Sequence, residues 1–239
     1  MSDPSTTAAP PPRDLCLFDL DHTLLPLDSD HAWNEFMIRL GWVDGRAHRA
    51  ANDRFYEDYQ AGTLNIAAYV EFTTRALRER PATQAHEAQQ RFMDEVIRPA
   101  LLPQALELVR QHQARGDLVA IITATNEFIT RPIARAFGVE HLLAVALERD
   151  ARGTITGRIQ GVPTFREGKV IRTEQWLAGQ GASFASFRRV SVYSDSLNDL
   201  PLLERATQPV ATNPSPALET LARERGWRVL RLFHDQEIH

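Results

Sequence analysis

The chain has 239 residues, with 27 basic against 31 acidic side chains and a net charge of −4 at pH 7. That length favours one core with an inserted subdomain over two full domains. The near-balanced charge, with basic residues spread along the chain, argues against nucleic acid or an anionic membrane surface as the main partner, and no apolar run approaches the roughly 18 residues of a membrane span.

Residues 1–12 are rich in Pro, Ser, Thr and Ala and read as a disordered lead-in, without the basic start and apolar stretch of a signal peptide. A cytoplasmic protein is therefore expected. Leu15 to Phe18 form a short apolar run of the kind that makes a fully buried strand, and it runs into Asp19 and Asp21. The single cysteine, Cys16, falls inside this run and reads as a buried, inert thiol with no disulfide framework around it. Trp33, Phe36, Met37 and Leu40 then fall at helical spacing, with Ser29 or Asp30 placed to cap and Gly41 to stop the run. Further helices are expected over Arg46 to Gln60, with Ala51, Phe55 and Tyr59 on one side, and around Ile66, Tyr69, Val70, Thr73 and Leu77, stopped by Pro81. A fourth follows Ala85, Ala88, Phe92 and Val96 to near Pro99. From about Leu27 to Arg98 the pattern is helical with no strand.

From Pro103 helix and strand alternate. Leu102, Ala105, Leu106 and Val109 make a helix face closed by Gly116, and Leu118 to Ile122 is a second buried strand running into Thr123. A helix carries Ile129, Ile133, Ala136 and Phe137, and Pro132 either kinks it or marks its start. Strand-like pieces at Leu142 to Leu147 and Thr154 to Gln160 flank a hairpin turn over Arg149 to Gly153. Lys169 opens a helix through Trp176 and Leu177, and Val190 to Tyr193 is a third buried strand ending at Ser194 and Asp195. Asn198 or Asp199 begins a short helix through Leu203, and strands at Val210–Ala211 and Arg228 to Leu232 flank a helix over Ser215 to Arg225. This order favours a parallel sheet covered on both faces.

Parallel strands deliver their carboxyl ends to one edge, so Asp19, Asp21, Thr123, Asp195 and Asp199 are expected to converge there. Clustered carboxylates repel unless a cation sits among them, and a few hard oxygen donors with room for water and phosphate describe a Mg²⁺ site. Lys169 is the only lysine, in a chain that otherwise uses arginine. A compact point charge on a slim stem does what a broad guanidinium fork cannot.

Asp19-Leu20-Asp21-His22-Thr23 after a strand, Thr123 after Ile121-Ile122, Lys169 before a helix, and Ser194-Asp195-Ser196-Leu197-Asn198-Asp199 after a third strand resemble the four motifs of the haloacid dehalogenase superfamily. The resemblance runs from about Leu15 to Leu232, with Ser194 standing where glycine is usual, and the helical insert resembles the cap of the phosphoserine phosphatase-like branch, subfamily IB. It implies an α/β fold, a Rossmann-like parallel-sheet core over 13–26 and 100–239 with an inserted all-helical cap over 27–99. It implies Asp19 as nucleophile, Asp21 as general acid and base, Thr123 as a phosphoryl-oxygen holder at a helix start, and Lys169 offsetting charge between nucleophile and phosphate. Asp19, Asp21 (through its carbonyl oxygen) and Asp195 would ligate Mg²⁺, with Asp199 orienting this shell.

A cap that closes over the site suits a small-molecule phosphate ester. Candidates for binding it are Thr123, Ala124, Thr125 and Asn126 beside the second motif, and Asp28, Asp30, His31, Trp33, Arg46, Arg49 and Asn52 in the insert. The acidic ones would suit an amine, as in phosphoserine or histidinol phosphate. The expected activity is a Mg²⁺-dependent phosphatase; a phosphotransferase to an alcohol and a non-catalytic phosphate-binding module are the alternatives. No histidine cluster has a recognisable metal-ligand spacing, and monomer and homodimer both stay open.

Overall fold

The computed structural model describes residues 14–233. The lead-in expected over 1–12 lies outside the described residues. Six strands form one sheet in the order β3-β2-β1-β6-β7-β8, with every neighbouring pair parallel. They are β1 (Leu15–Phe18), β2 (Leu118–Asn126), β3 (His141–Val145), β6 (Val190–Ser194), β7 (Gln208–Thr212) and β8 (Arg228–Leu230). The first strand is central, and the order runs outward from it in both directions. This is the topological switch at which open α/β sheets bind ligands.

The pleat of β1 explains why its four residues are all buried. Cys16 and Phe18 point into one apolar layer and Leu15 and Leu17 into the other. The first layer is closed by α5 (Pro103–Ala114), α6 (Glu127–Ala136) and the helices inserted between β1 and β2; the second by α7 (Glu167–Ala178), α8 (Leu200–Leu203) and α9 (Pro216–Glu224). The inserted helices are α1 (Ser29–Arg39), α2 (Gly45–Gln60), α3 (Ile66–Arg78) and α4 (Ala82–Phe92). Asp28, Asp44 and Asn65 cap the first three through their side chains. The insert rests on α6 through Trp33, whose ring meets Phe92 at 5.1 Å and Phe128 at 5.8 Å.

Several expectations are corrected. The cap of α1 is Asp28, which accepts from the amides of Asp30 and His31, rather than Ser29 or Asp30. The fourth helix ends at Phe92 and passes through a wide turn over Met93–Ile97 before Pro99. The second strand runs on through Thr123 to Asn126, so Thr123 lies in a strand and the helix starts only at Glu127. Its register on β3 breaks between Ile122 and Asn126, which is how those residues leave the sheet edge. Pro132 lies inside α6, and the Phe128 carbonyl that it leaves without an amide donor is taken by the Gln89 side-chain amide from α4. The piece from Leu142 to Leu147 is two strands: β3 ends at Val145, and β4 (Leu147–Arg149) turns back through Asp150 into β5 (Ile155–Ile159) as an antiparallel pair. The last strand stops at Leu230 rather than Leu232.

Candidate functional site

The centre of the site is an ammonium between two carboxylates. Lys169 Nζ lies 2.8 Å from Asp19 Oδ1 and 2.7 Å from Asp199 Oδ2, and its side chain is 1% exposed. Burial alone would lower the lysine's pKa, but the two carboxylates outweigh it and hold the ammonium above its ordinary range. Gly168 makes this approach possible, because a Cβ there would lie 2.0 Å from the Pro163 carbonyl oxygen. Only glycine lets the first turn of α7 come that close. Ser194, in the place where glycine is usual, donates its hydroxyl to Asp199 Oδ2 at 2.8 Å.

Asp21 stands opposite. Its Oδ1 accepts from the Ser29 amide at 2.8 Å and its Oδ2 from the Thr125 hydroxyl at 2.9 Å. Burial and the negative charges of Asp28 and Asp19 push its carboxyl up to about 7, against the pull of the Ser29 amide. The loop carrying it turns tightly through His22, at φ 57°. Asn213 braces that turn by donating to the carbonyls of His22 and Thr23 at 3.0 and 3.3 Å. Thr23 in turn donates to Asp195 Oδ1 at 3.2 Å. Burial, Asp19 and Asp199 raise the Asp195 carboxyl well above its usual range.

These groups open onto a cavity in which the centre of a water-sized sphere has about 40 Å³ to move. The sheet supplies Asp19, Asp21, His22, Thr123, Ala124, Thr125 and Asp195; the insert supplies Asp28, Asp30, Phe55, Tyr56, Tyr59, Leu64, Ile66 and Tyr69. The insert is fastened down over it: Asn198 donates to the Tyr59 carbonyl at 2.9 Å, Arg166 to the Gly62 carbonyl at 2.8 Å.

The structure thus brings together Asp19, Asp21, Thr123, Ala124, Thr125, Asp195, Asp28 and Asp30, with Lys169 and Asp199 directly behind them. Other candidates are elsewhere. Trp33 is fully buried in the aromatic cluster under α1, and Arg49 forms an exposed ion pair with Glu35 at 2.7 Å. Arg46 is exposed outside the cavity. Asn52 and His31 pair with each other at 2.8 Å, also outside its lining. Asn126 caps α6, accepting from Phe128 and Ile129, and its side chain is committed there. Missed by the sequence reading were the cavity-facing aromatics Phe55, Tyr56, Tyr59 and Tyr69. Thr164, which donates to the Thr123 carbonyl at 2.6 Å, was missed as well.

A cation fits this donor set. Of the four aspartates Asp19, Asp21, Asp195 and Asp199, Lys169 pairs with Asp19 and Asp199 only, and Asp199 Oδ1 is buried without a hydrogen-bond partner. Among the described residues no three His, Cys, Asp or Glu side chains are grouped so that they could hold a metal ion by themselves. An open, all-oxygen set of one or two carboxylates is what Mg²⁺ takes, since it keeps water and substrate phosphate in its remaining positions.

Such a site, at the carboxyl edge of a parallel sheet under a helical insert, has clear relatives. The chain is 42% identical over 218 residues to the histidinol-phosphatase of Neisseria meningitidis serogroup C, covering 91% of this chain and 98% of that protein. It is 31% identical over 232 residues to the phosphoserine phosphatase SerB1 of Mycobacterium tuberculosis, covering 92% and 72%. A crystal structure of a Bordetella pertussis Tohama I protein of unknown function matches with a TM-score of 0.87 at 50% identity, over 92% of this chain and 99% of that one. The haloacid dehalogenase-like hydrolase family model matches residues 16–204, and the chain belongs to that family.

Proposed function

We propose that this phosphoric monoester hydrolase cleaves the phosphate ester of a small metabolite in two steps through an aspartyl-phosphate on Asp19. An Asp19 carboxylate oxygen attacks phosphorus as the ester P–O bond breaks, and Asp21 gives its proton to the leaving alkoxide. Asp21 then takes a proton from water, whose oxygen attacks phosphorus and releases inorganic phosphate, regenerating Asp19. Thr123 and the amides beside it hold phosphoryl oxygens. Lys169 offsets their charge, and Asp199 with Ser194 holds the lysine in place. Mg²⁺, when bound by Asp19, Asp195 and the Asp21 carbonyl oxygen, would neutralise charge on the phosphoryl group.

The observation that carries this reading is a pair of carboxylates in opposed environments. Asp19 is one end of a buried ion pair, whereas Asp21 is pushed up to about 7 and so can hold a proton for the leaving group. Residues 27–99 act as the cap over a core of 13–26 and 100–239, of which 13 and 234–239 lie outside the described residues. The small space they enclose supports a metabolite rather than a phosphoprotein, histidinol phosphate and phosphoserine being the esters to which the named relatives point. We place the enzyme in the cytoplasm, acting as monomer or homodimer; its one cysteine, buried in β1, is no part of a disulfide framework.

Phosphate release from a panel of metabolite esters, with Mg²⁺ and with chelator, tests it. Metal-dependent turnover is expected, falling at least about a thousandfold in Asp19→Asn. Silence on every ester, or full activity in Asp19→Asn, would contradict it, and turnover of a phosphopeptide would contradict the small-metabolite assignment.

A further inference from the structure

The charge pattern of the cavity selects among leaving groups, an inference that rests on the phosphatase reading above. Five of the fifteen lining residues are aspartates, and none is lysine or arginine. Lys169 is committed to Asp19 and Asp199, Arg49 to Glu35, and Arg166 to the Gly62 carbonyl. His22, the one lining side chain able to carry positive charge, belongs to the tight turn that carries Asp21, not to the insert's wall. A carboxylate on the leaving group would lose its water with no lysine or arginine among the lining residues to pair with it, and would lie against the acidic Asp28 and Asp30.

Asp30 makes the complementary demand. It sits in the first turn of α1, is 5% exposed and lines the cavity, and its Oδ1 has no hydrogen-bond partner. Burial and the charges of Asp28 and Asp21 push that carboxyl well above its ordinary range, and a cation seated against it relieves both penalties. Beside it Phe55, Leu64, Ile66 and Tyr69 form an apolar, partly aromatic wall, with the Phe55 and Tyr69 rings 5.2 Å apart. A flat ring or a cationic nitrogen can lie on such a wall.

We propose that Asp30, with Asp28, is the specificity subsite for a positively charged nitrogen, and that the substrate is the phosphate ester of an amino alcohol that carries no carboxylate. Its ring or apolar portion lies on the Phe55–Tyr69 wall. Histidinol phosphate, with an ammonium, an imidazole and no carboxylate, meets every condition, whereas phosphoserine fails on its carboxylate.

Steady-state kinetics on histidinol phosphate, phosphoserine and p-nitrophenyl phosphate, with Mg²⁺ present, test the proposal. In the wild type kcat/KM for histidinol phosphate should exceed that for phosphoserine by about a hundredfold or more, and L-histidinol should inhibit at least about tenfold better than L-histidine, which carries a carboxylate. In Asp30→Asn the ratio of kcat/KM for histidinol phosphate to that for p-nitrophenyl phosphate should fall by about tenfold or more, with partial recovery in Asp30→Glu. Equal use of histidinol phosphate and phosphoserine, equal inhibition by histidinol and histidine, or an unchanged ratio in Asp30→Asn would overturn the subsite while leaving the phosphatase reading in place. Failure to hydrolyse any of the three esters would overturn the phosphatase reading itself. The histidinol and histidine pair needs no variant, so a poorly folding Asp30→Asn does not protect the proposal.

Discussion

Lys169 shows how much depends on one side chain's shape. It fills a space 1% exposed between two carboxylates 2.8 and 2.7 Å away, where a planar five-donor fork would have to displace one of them. Lys169→Arg is therefore expected to lose at least about a hundredfold in kcat and to do no better than Lys169→Met, measured by phosphate release. Asp21→Asn can neither give nor take a proton, and should cost about 10²- to 10⁴-fold on an alkyl ester. The loss should be smaller in the phosphorylation step on p-nitrophenyl phosphate, whose leaving group needs no proton; equal loss on both esters would remove Asp21 from the acid role. The residues at the sheet edge were legible because the proposed chemistry requires particular types: two aspartates two apart, a hydroxyl, a lone lysine. The insert was less so. Phe55 and Tyr59, and Ile66 and Tyr69, recur at helical spacing whether the helix faces a core or a substrate cavity, and only packing decides between them. Trp33 and Arg49 failed as candidates for the same reason: their helical phase turns one into the aromatic cluster and the other to solvent.

At the scale of elements, α6 illustrates a bond that no local pattern reveals. Pro132 removes the amide that would pair with the Phe128 carbonyl, and Gln89, 39 residues earlier on an inserted helix, supplies a donor instead. Gln89→Ala should destabilise the protein by about 1–3 kcal/mol, the cost of a buried carbonyl left unpaired. In a Pro132→Ala background residue 132 regains its own amide, and the same substitution should then cost much less; urea unfolding of the four proteins in the cycle measures the coupling. Additive losses would show that Gln89 acts elsewhere. The order of elements was readable from alternating patterns, because buried parallel strands are short apolar runs between helices. Their ends were not: β2 continues past its apolar run through Thr123 and Thr125 to Asn126, and the break after Val145 separates two strands that share one apolar run.

Across the whole molecule, the sheet and its helices are tied by a buried chain of polar groups away from the cavity. His112 of α5 bonds Asp117 at 2.6 Å and the Tyr193 hydroxyl of β6 at 2.8 Å, with Phe18 of β1 edge-on to its ring. Burial lowers the imidazole's pKa, against the opposite pull of Asp117 and with Arg115 and Arg189 adding to the lowering. A histidine depressed in the folded state stabilises fully above its unfolded value of about 6.5 and loses that contribution as the pH falls below it. Unfolding free energy should accordingly decline from pH 6.5 downward more steeply in the wild type than in His112→Gln; parallel profiles would contradict the assignment. The convergence of three strand ends was foreseeable, since parallel strands share an edge, but the fastening of Tyr59 and Gly62 to Asn198 and Arg166 joins segments more than a hundred residues apart and is visible only in three dimensions. The proposed chemistry as a whole is tested most directly by rapid acid quench of the Mg²⁺-loaded enzyme during turnover of a labelled phosphate ester, followed by peptide mapping. Label is expected on the peptide carrying Asp19, released by hydroxylamine and absent from Asp19→Asn; turnover with no enzyme-bound phosphate, or with phosphate on another residue, would contradict the aspartyl-phosphate route.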